Sequence, residues 1–162
     1  MMRVAAAMMA LLVCGVTTAA TINVPADYTT IQAAVDAASG GDVILVAPGT
    51  YTDTQDGHVV DMKAKAITLR STDGAAVTII DGQNARRGIA CYQGETNATV
   101  IDGFTITNGD AVEYDYNGDG DIDWWEDSGG GIYCYDSSPT ITDCTISGNT
   151  AGWFGGGIFC YG

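Results

Sequence analysis

The chain has 162 residues, enough for one domain with a continuous core, and it carries a formal net charge of −14 with only six Lys and Arg residues. This charge argues against a nucleic-acid-binding surface, which needs clustered basic residues, and favours cations as partners. Hydrophobic residues make up 46% of the chain and charged residues 16%, and the 22 glycines indicate many tight turns, a composition typical of an all-β protein.

The first twenty residues have the features of a secretory signal peptide. Arg3 supplies a positive start, an apolar run covers residues 4–13, and small residues end the segment at Ala19-Ala20. We therefore predict a signal peptide over residues 1–20 and one exported domain over residues 21–162, secreted or held at the cell surface.

The cysteines and the hydropathy refine this localisation. Cys14 leaves a lipid anchor open as an alternative, although Val13 stands where lipoprotein signals usually carry a small residue. No later segment approaches the run of about 18 apolar residues that a membrane span requires. Export permits disulfides among Cys91, Cys134, Cys144 and Cys160, but the composition does not decide which of them lie close enough to bond.

The mature chain begins with a short helix and a buried strand. Thr29-Thr30-Ile31-Gln32 fits a capping box, and an apolar stripe predicts a helix from Ile31 to Ala38. The continuous apolar run over residues 42–47, closed by Pro48-Gly49, predicts a strand followed by a turn. We expect the helix to cover the open edge of this strand as an N-terminal cap.

The second half of the chain contains three versions of one pentapeptide. They are Gly88-Ile89-Ala90-Cys91-Tyr92, Gly131-Ile132-Tyr133-Cys134-Tyr135 and Gly157-Ile158-Phe159-Cys160-Tyr161. Residues 139–149 likewise repeat the pattern of residues 101–109. The period from Cys134 to Cys160 is 26 residues, and short alternating strands at that period predict one coil of a β-solenoid per repeat.

The first two copies are spaced too widely for a single regular coil. Cys91 and Cys134 are 43 residues apart, so we predict a loop inserted over residues 110–127. Alternation along each strand places the Ile and Cys side chains of the pentapeptides inward. Tyr92, Tyr135 and Tyr161 then line the outside. The opposite parity would bury tyrosine hydroxyl groups, which costs more free energy.

These repeats resemble those of bacterial right-handed parallel β-helix proteins. The segment over residues 28–51, the stretches Ile80-Asp81-Gly82-Gln83 and 101–109, and the Gly-Gly-Gly-Ile-Tyr-Cys-Tyr repeat are similar to the pectin-lyase-like superfamily and to the repeats of polymorphic outer-membrane adhesins. The resemblance implies an all-β, right-handed parallel β-helix. It implies little about function, because the superfamily includes lyases, esterases, hydrolases and non-enzymatic surface proteins.

The inserted loop contains a calcium-binding motif. Asp115 to Glu126 matches the twelve-residue EF-hand loop, with a glycine at position 120 for the sharp turn. The predicted Ca²⁺ ligands are Asp115, Asn117, Asp119, Asp121 through its carbonyl, Asp123 through water, and Glu126. No helical pattern flanks the loop, so we predict a structural calcium site; a solvated acidic loop without tight binding is the alternative.

The remaining candidates for chemistry are sparse. Asp81 and Asp102 occur in similar Ile-Asp-Gly contexts, so they either stack as paired carboxylates, as in hydrolases, or bond nearby backbone amides in turns, and we favour turns. Arg86 and Arg87 could accompany such a paired site, but the neighbouring Gly82, Gln83 and Asn84 favour an exposed turn for them. His58, the single histidine, is predicted to lie in a loop, and no serine or cysteine has the context of an activated nucleophile.

The aromatic residues leave two functions open. The outward tyrosines and Trp124-Trp125 can stack on sugar rings or shield the sheet and the calcium loop. The leading hypothesis is a non-catalytic, calcium-binding β-helix module that presents a surface to polysaccharides or cell-surface glycans. The alternative is a polysaccharide lyase or esterase that acts on uronic-acid polymers.

The last copy of the pentapeptide raises the question of what covers it. The sequence stops just after Gly157-Ile158-Phe159-Cys160 has begun a new coil, without a recognisable cap. We therefore expect a longer parent solenoid and end-to-end self-association through an open coil.

Overall fold

The computed structural model describes residues 18–52, 57–111, 115 and 118–162. Most of the predicted signal peptide, with Cys14, lies outside these residues, as does Asn117. The strands are β1 (Thr21–Val24), β2 (Val43–Val46), β3 (Gly49–Tyr51), β4 (His58–Asp61), β5 (Thr68–Ser71), β6 (Thr78–Asp81), β7 (Arg87–Cys91), β8 (Val100–Asp102), β9 (Thr105–Thr107), β10 (Asp110–Ala111), β11 (Ile132–Tyr135), β12 (Thr140–Thr142), β13 (Thr145–Ser147), β14 (Thr150–Ala151) and β15 (Ile158–Tyr161).

These strands form parallel sheets that run along a solenoid. The first sheet has the order β1-β2-β5-β8-β12, the second β13-β9-β6-β3 and the third β15-β11-β7-β4, and β10 pairs with β14. Every strand pair is parallel, and neighbours in each sheet come from successive coils. The predicted all-β parallel β-helix is therefore confirmed.

The core lies between the sheets and is filled by aliphatic side chains. Each sheet contributes inward residues at alternate positions, and Ile44, Ile80 and Ile89 are among those with no exposed surface. The pentapeptides pair in the predicted register, since Ile132 lies opposite both Ile89 and Ile158. Cys91 and Cys134 are buried in the same core cluster, which confirms the inward parity for the inner coils.

Glycine starts each pentapeptide because neighbouring coils approach closely there. A Cβ atom on Gly88 would lie 2.6 Å from the carbonyl oxygen of Gly131, and one on Gly131 would lie 2.3 Å from that of Gly157. Any larger residue would push adjacent coils apart, so the repeat requires glycine at these two positions.

The N-terminal end has a helix, α1, over Ile31–Ala37. Thr30, and not Thr29, is the N-cap, because its hydroxyl accepts the backbone N–H of Ala33 at 3.0 Å. Ile31 and Val35 are buried where the helix lies against β1, β2 and β4. The outer edge of β2 pairs with β1, a strand that the sequence pattern did not reveal. The helix therefore does not cover this edge and instead caps the end of the core.

The inserted loop begins later than predicted. Asp110 and Ala111 form β10 and pair with Thr150 and Ala151, so they belong to the regular coil.

In the described part of the chain, no helix has the length and apolar character needed to cross a membrane.

Candidate functional site

The outward face of the third sheet carries a grid of stacked aromatic rings. Tyr133 and Tyr135 alternate with the buried side chains of β11, and in-register pairing places Phe159 and Tyr161 beside them. The ring centroids of Tyr133 and Phe159 are 5.5 Å apart, and those of Tyr135 and Tyr161 are 5.4 Å apart. Tyr135 and Tyr161 therefore offer the accessible aromatic surface of this grid, while Tyr133 and Phe159 are largely buried.

A cavity of about 350 Å³ adjoins this grid, and we call it the aromatic groove. Three neighbouring strands of the third sheet, the residue that follows β7 and the inserted loop contribute to its lining. The lining residues are His58, Arg87, Tyr92, Trp125, Tyr133 and Tyr135. Because His58 and Arg87 pair in register at the starts of β4 and β7, the coil geometry sets their spacing. The inserted loop supplies the remaining wall through Trp125.

Arg87 joins the inserted loop to the solenoid. Its Nε donates to the carbonyl of Ser128 at 3.0 Å, and its Nη2 donates to the carbonyls of Trp125, at 3.3 Å, and Glu126. Its guanidinium carbon also lies 4.6 Å from the centre of the Tyr133 ring. A buried guanidinium with these partners is solvated by backbone carbonyls, so it fixes the base of the loop beside β11.

This burial was not expected from the sequence. Arg87 is 3% exposed and lies in β7, so its prediction as part of an exposed turn is wrong. The turn itself is present, because Gln83 and Asn84 are exposed and have positive φ angles of 57° and 50°. Arg86 is half-buried and donates to the carbonyl of Thr52 at 2.9 Å.

His58 is buried in the floor of the aromatic groove, so its prediction as a loop residue is also wrong. It begins β4, is 2% exposed, and its ring centroid lies 5.9 Å from that of Tyr92. Burial lowers the pKa of His58 to about 3, and the positive charge of Arg87 acts in the same direction. The imidazole is therefore neutral at physiological pH and contributes a polar but uncharged group to the groove.

Tyr92, which lines the groove, is held in place by Asp61. Tyr92 donates from its hydroxyl to Asp61 Oδ2 at 3.2 Å. Burial raises the pKa of Asp61, while hydrogen bonds from Lys63 and Tyr92 oppose this shift. Burial also raises the pKa of Tyr133 to about 12. The hydroxyl group of Tyr133 therefore stays protonated and able to donate a hydrogen bond.

The predicted calcium loop lies directly beside the groove. Asp115 accepts the backbone N–H groups of Gly118 and Gly120 at 2.6 and 2.9 Å, and Gly120 has the left-handed φ of 91° that the sharp turn requires. Asp119 accepts the N–H of Asp121 at 2.9 Å, and both of these residues are exposed. The described residues in the first half of the loop are thus organised around the carboxylates of Asp115 and Asp119.

The second half of the loop folds against the solenoid. Glu126 has no exposed surface, and its Oε2 accepts the N–H of Asp123 at 3.0 Å. Asp123 in turn accepts the indole N–H of Trp125 at 3.1 Å. Among the described residues, no three His, Cys, Asp or Glu side chains converge closely enough to hold a metal ion. The predicted ligand Asn117 lies outside those residues.

An open apolar depression continues the surface beyond the loop. It has a volume of about 800 Å³ and is lined by Ile122, Asp123, Trp124, Trp153, Phe154, Phe159 and Tyr161. Trp153, Phe154 and Tyr161 are each more than half exposed. Because Tyr161 stacks on Tyr135 of the groove, the depression and the groove form one aromatic face.

The paired-carboxylate hypothesis for Asp81 and Asp102 finds no geometry to support it. Asp81 ends β6 of the second sheet and accepts the N–H of Gln83 at 2.8 Å, as expected of a turn residue. Asp102 ends β8 of the first sheet and pairs with Arg70 at 2.6 Å. The two carboxylates therefore lie on different sheets and do not stack.

The sequence contained a weak signal for the position of His58, which the repeat analysis missed. Val60 pairs with Ile89, and His58 with Arg87, so His58-Val59-Val60-Asp61 is a degenerate earlier copy of the repeated strand. Alternate apolar residues at Val60 and Met62 correspond to Ile89 and Cys91. Extending the repeat upstream would have placed His58 in a strand, although not under the loop.

The last coil is similar to a known repeat. Residues 143–161 match the model of the Chlamydia polymorphic membrane protein repeat, and they span β13, β14 and β15 with their connecting turns. No curated protein and no solved structure shows a significant match to the chain. The repeat match supports the resemblance to outer-membrane adhesins and indicates a cell-surface, adhesin-like repeat protein.

Proposed function

We propose that this chain is a non-catalytic module of a cell-surface or secreted β-helix that binds glycans in the aromatic groove. The observation that carries the proposal is the convergence of Tyr133, Tyr135 and Trp125 on one cavity of about 350 Å³. That volume lies within the range of small-ligand pockets, which combine apolar walls with a few placed polar groups.

The chemistry of the groove suits a sugar. Pyranose rings have one face of C–H groups that stacks on aromatic rings, while their hydroxyl groups need hydrogen-bond partners at the rim. The phenol groups of Tyr133 and Tyr135 and the neutral imidazole of His58 offer both donors and acceptors. The stacked ring of Tyr161 extends the platform beyond the groove, so a chain of several sugars has more surface to contact.

Calcium binding in the loop is the second part of the proposal. The left-handed turn at Gly120 and the amide-bound carboxylate of Asp115 support it, because they are the features that give an EF-hand loop its shape. Calcium would draw the carboxylates of Asp115, Asp119 and Glu126 towards one centre and remove their mutual repulsion. Since Trp125 belongs to this loop, the ion would also hold one wall of the groove in place.

The glycan proposal is tested by binding the purified chain to an array of polysaccharides and oligosaccharides. We expect retention of at least one class of glycan, and Tyr135→Ala should weaken that binding about tenfold, equivalent to about 1.4 kcal/mol. Tyr28→Ala is the matched control, because Tyr28 is an exposed tyrosine next to the N-terminal helix. Binding that Tyr135→Ala leaves unchanged, or binding to no glycan, would contradict the proposal.

We propose the outer edge of the third sheet, formed by β15, as a second interaction surface. In β15, which ends that sheet, Ile158 points inward and yet is 41% exposed. Unpaired backbone groups beside an exposed aliphatic side chain favour pairing with another strand. We propose that a second copy of the chain can associate at this edge.

A further inference from the structure

Three cysteines form a ladder along the third sheet. Cys134 lies directly opposite Cys91 on one side and Cys160 on the other, in parallel register. Both neighbouring thiols act on the Cys134 thiol strongly enough to lower its pKa. All three are free thiols in this structure.

We propose that Cys134 and Cys160 are a modification site, at which a disulfide joins the neighbouring strands β11 and β15 when the chain meets an oxidising thiol–disulfide couple. Neighbouring strands lie about 4.8 Å apart, within the range of about 4.4–6.8 Å between Cα atoms that disulfides span. Because the two side chains leave adjacent strands on the same face, the bond needs no change of register.

Accessibility selects this pair over Cys91 and Cys134. Cys91 has no exposed surface and Cys134 is 1% exposed, whereas Cys160 is exposed. A dissolved disulfide such as oxidised glutathione can therefore reach only the Cys160 end of this ladder. Once Cys160 carries the oxidant, Cys134 is the nearest thiol on the neighbouring strand.

The reaction proceeds by two exchanges. The Cys160 thiolate attacks one sulfur of the small disulfide, forms a mixed disulfide and releases one small thiolate. The Cys134 thiolate then attacks the Cys160 sulfur, the protein disulfide forms, and the second small thiolate leaves. The two protons lost by the cysteines pass to the released thiolates, so two electrons move from the protein to the glutathione disulfide.

The surroundings of the two thiols fit these roles. The hydrogen bonds from Cys91 and then Cys160 lower the pKa of Cys134, although burial opposes them. Burial is the largest cause of the raised pKa of Cys160. Cys160 therefore supplies the accessible thiol, and Cys134 supplies the neighbouring thiol whose pKa is lowered.

The bond would fix the surface that carries the aromatic grid. Phe159 and Tyr161 flank Cys160 in β15, and Tyr133 and Tyr135 flank Cys134 in β11. A covalent link between these strands prevents β15 from separating from the sheet. Oxidation should therefore raise the melting temperature of the purified chain.

The test is to incubate the reduced chain with oxidised glutathione, quench with acid, and alkylate in denaturant. The chain has four cysteines from residue 91 onward. After oxidation we expect only two of them to be alkylated, and the internal disulfide should lower the mass of the chain by two units. Cleavage before aspartate separates residues 127–135, which contain Cys134, from residues 143–162, which contain Cys144 and Cys160. These two peptides should be joined until a reductant is added.

Two variants make the assignment specific. Cys144→Ser should leave both the joined peptides and the rise in melting temperature unchanged, which identifies Cys160 as the partner. Cys160→Ser should lose both effects. The proposal is overturned if all four thiols stay alkylated, if the joined peptide contains Cys91, or if oxidation yields only a dimer linked through Cys160.

Discussion

Two copies of the same pentapeptide have opposite environments in this molecule. Gly131 to Tyr135 lies between two coils, whereas Gly157 to Tyr161 is paired on one side only. Ile132 is fully buried and Ile158 is 41% exposed, although the two residues are direct neighbours in the sheet. The repeated sequence therefore determines the strand and its parity, while burial depends on the coil stacked above.

The exposed fractions of the outward side chains differ between the copies for another reason. Tyr133 is 4% exposed and Tyr161 is 53% exposed, yet both belong to the same aromatic face. Tyr133 is covered by Arg87 and by the ring of Phe159, and Arg87 also carries the base of the inserted loop. The burial of Tyr133 thus comes from side chains of the two neighbouring strands, and Arg87 anchors the inserted loop beside them.

The largest expected difference between the copies concerns their isoleucines. Ile132→Ala removes a side chain from a closed core, so we expect a loss of about 2–5 kcal/mol in unfolding free energy. Ile158→Ala should cost less than about 1 kcal/mol, because much of that side chain already contacts water. Urea unfolding followed by circular dichroism measures both. Equal losses would show that the two copies are equally enclosed.

The glycines give a sharper version of the same test. A Cβ atom on Gly131 would lie 2.3 Å from the carbonyl oxygen of Gly157, whereas a Cβ atom on Gly157 would have its nearest neighbour, Ile146 Cγ2, at 3.6 Å. We expect Gly131→Ala to cost about 1–3 kcal/mol through this clash and Gly157→Ala to cost less than about 0.5 kcal/mol. Similar melting temperatures for the two variants would contradict the close approach of the coils.

Acid should weaken the fold through His58, which lines the aromatic groove and lies beside Tyr92 of the first copy. The folded pKa of about 3 is below the ordinary value of 6.5, so the unfolded chain binds the proton more readily. This contribution to stability is complete above pH 6.5 and is lost towards pH 3, by about 1.4 kcal/mol per pH unit within that window.

His58→Gln isolates this effect because it removes the chain's one histidine while keeping a polar side chain. Unfolding free energies measured between pH 5 and 6.5 should rise less steeply with pH in the variant than in the parent. Parallel pH profiles would mean that His58 is not buried in the folded state.

The smallest expected effect concerns association through the exposed copy. Sedimentation at rising concentration should show self-association of the parent chain, and Ile158→Lys should reduce it by placing a charge at the edge of β15. Val77→Lys is the control, because Val77 is similarly exposed, at 45%, but lies outside this sheet. A chain that remains monomeric, or equal association of both variants, would count against pairing at this edge.

The sequence predicted the repeated part of the fold well and its surroundings poorly. The pentapeptides contain their own alternation and spacing, so inward Ile89 and Ile132 and their register followed from local pattern. The burial of Arg87 did not, because its partners are carbonyls of Trp125, Glu126 and Ser128, supplied by an insertion with no repeat to guide its placement.

The absence of information on tertiary placement also explains why the sequence suggested a carboxylate pair at Asp81 and Asp102 that the structure does not form. Asp81 and Asp102 share a tripeptide context, but that context recurs at two different sheets of the coil. A local pattern identifies a strand followed by a turn and carries no information on which sheet the strand joins. Sequence spacing alone therefore suggested a pair that the solenoid separates.

The central proposal is that calcium binding by the inserted loop would hold one wall of the aromatic groove in place, and tryptophan fluorescence titrated with calcium tests it most directly. Trp124 and Trp125 lie within the loop, so drawing its carboxylates together should give a saturable change in emission. Glu126→Gln, which keeps the volume of a buried side chain, and Asp119→Asn, at an exposed position, should each weaken the response about tenfold or more. No change at millimolar calcium, or the same titration in both variants as in the parent, would contradict the account.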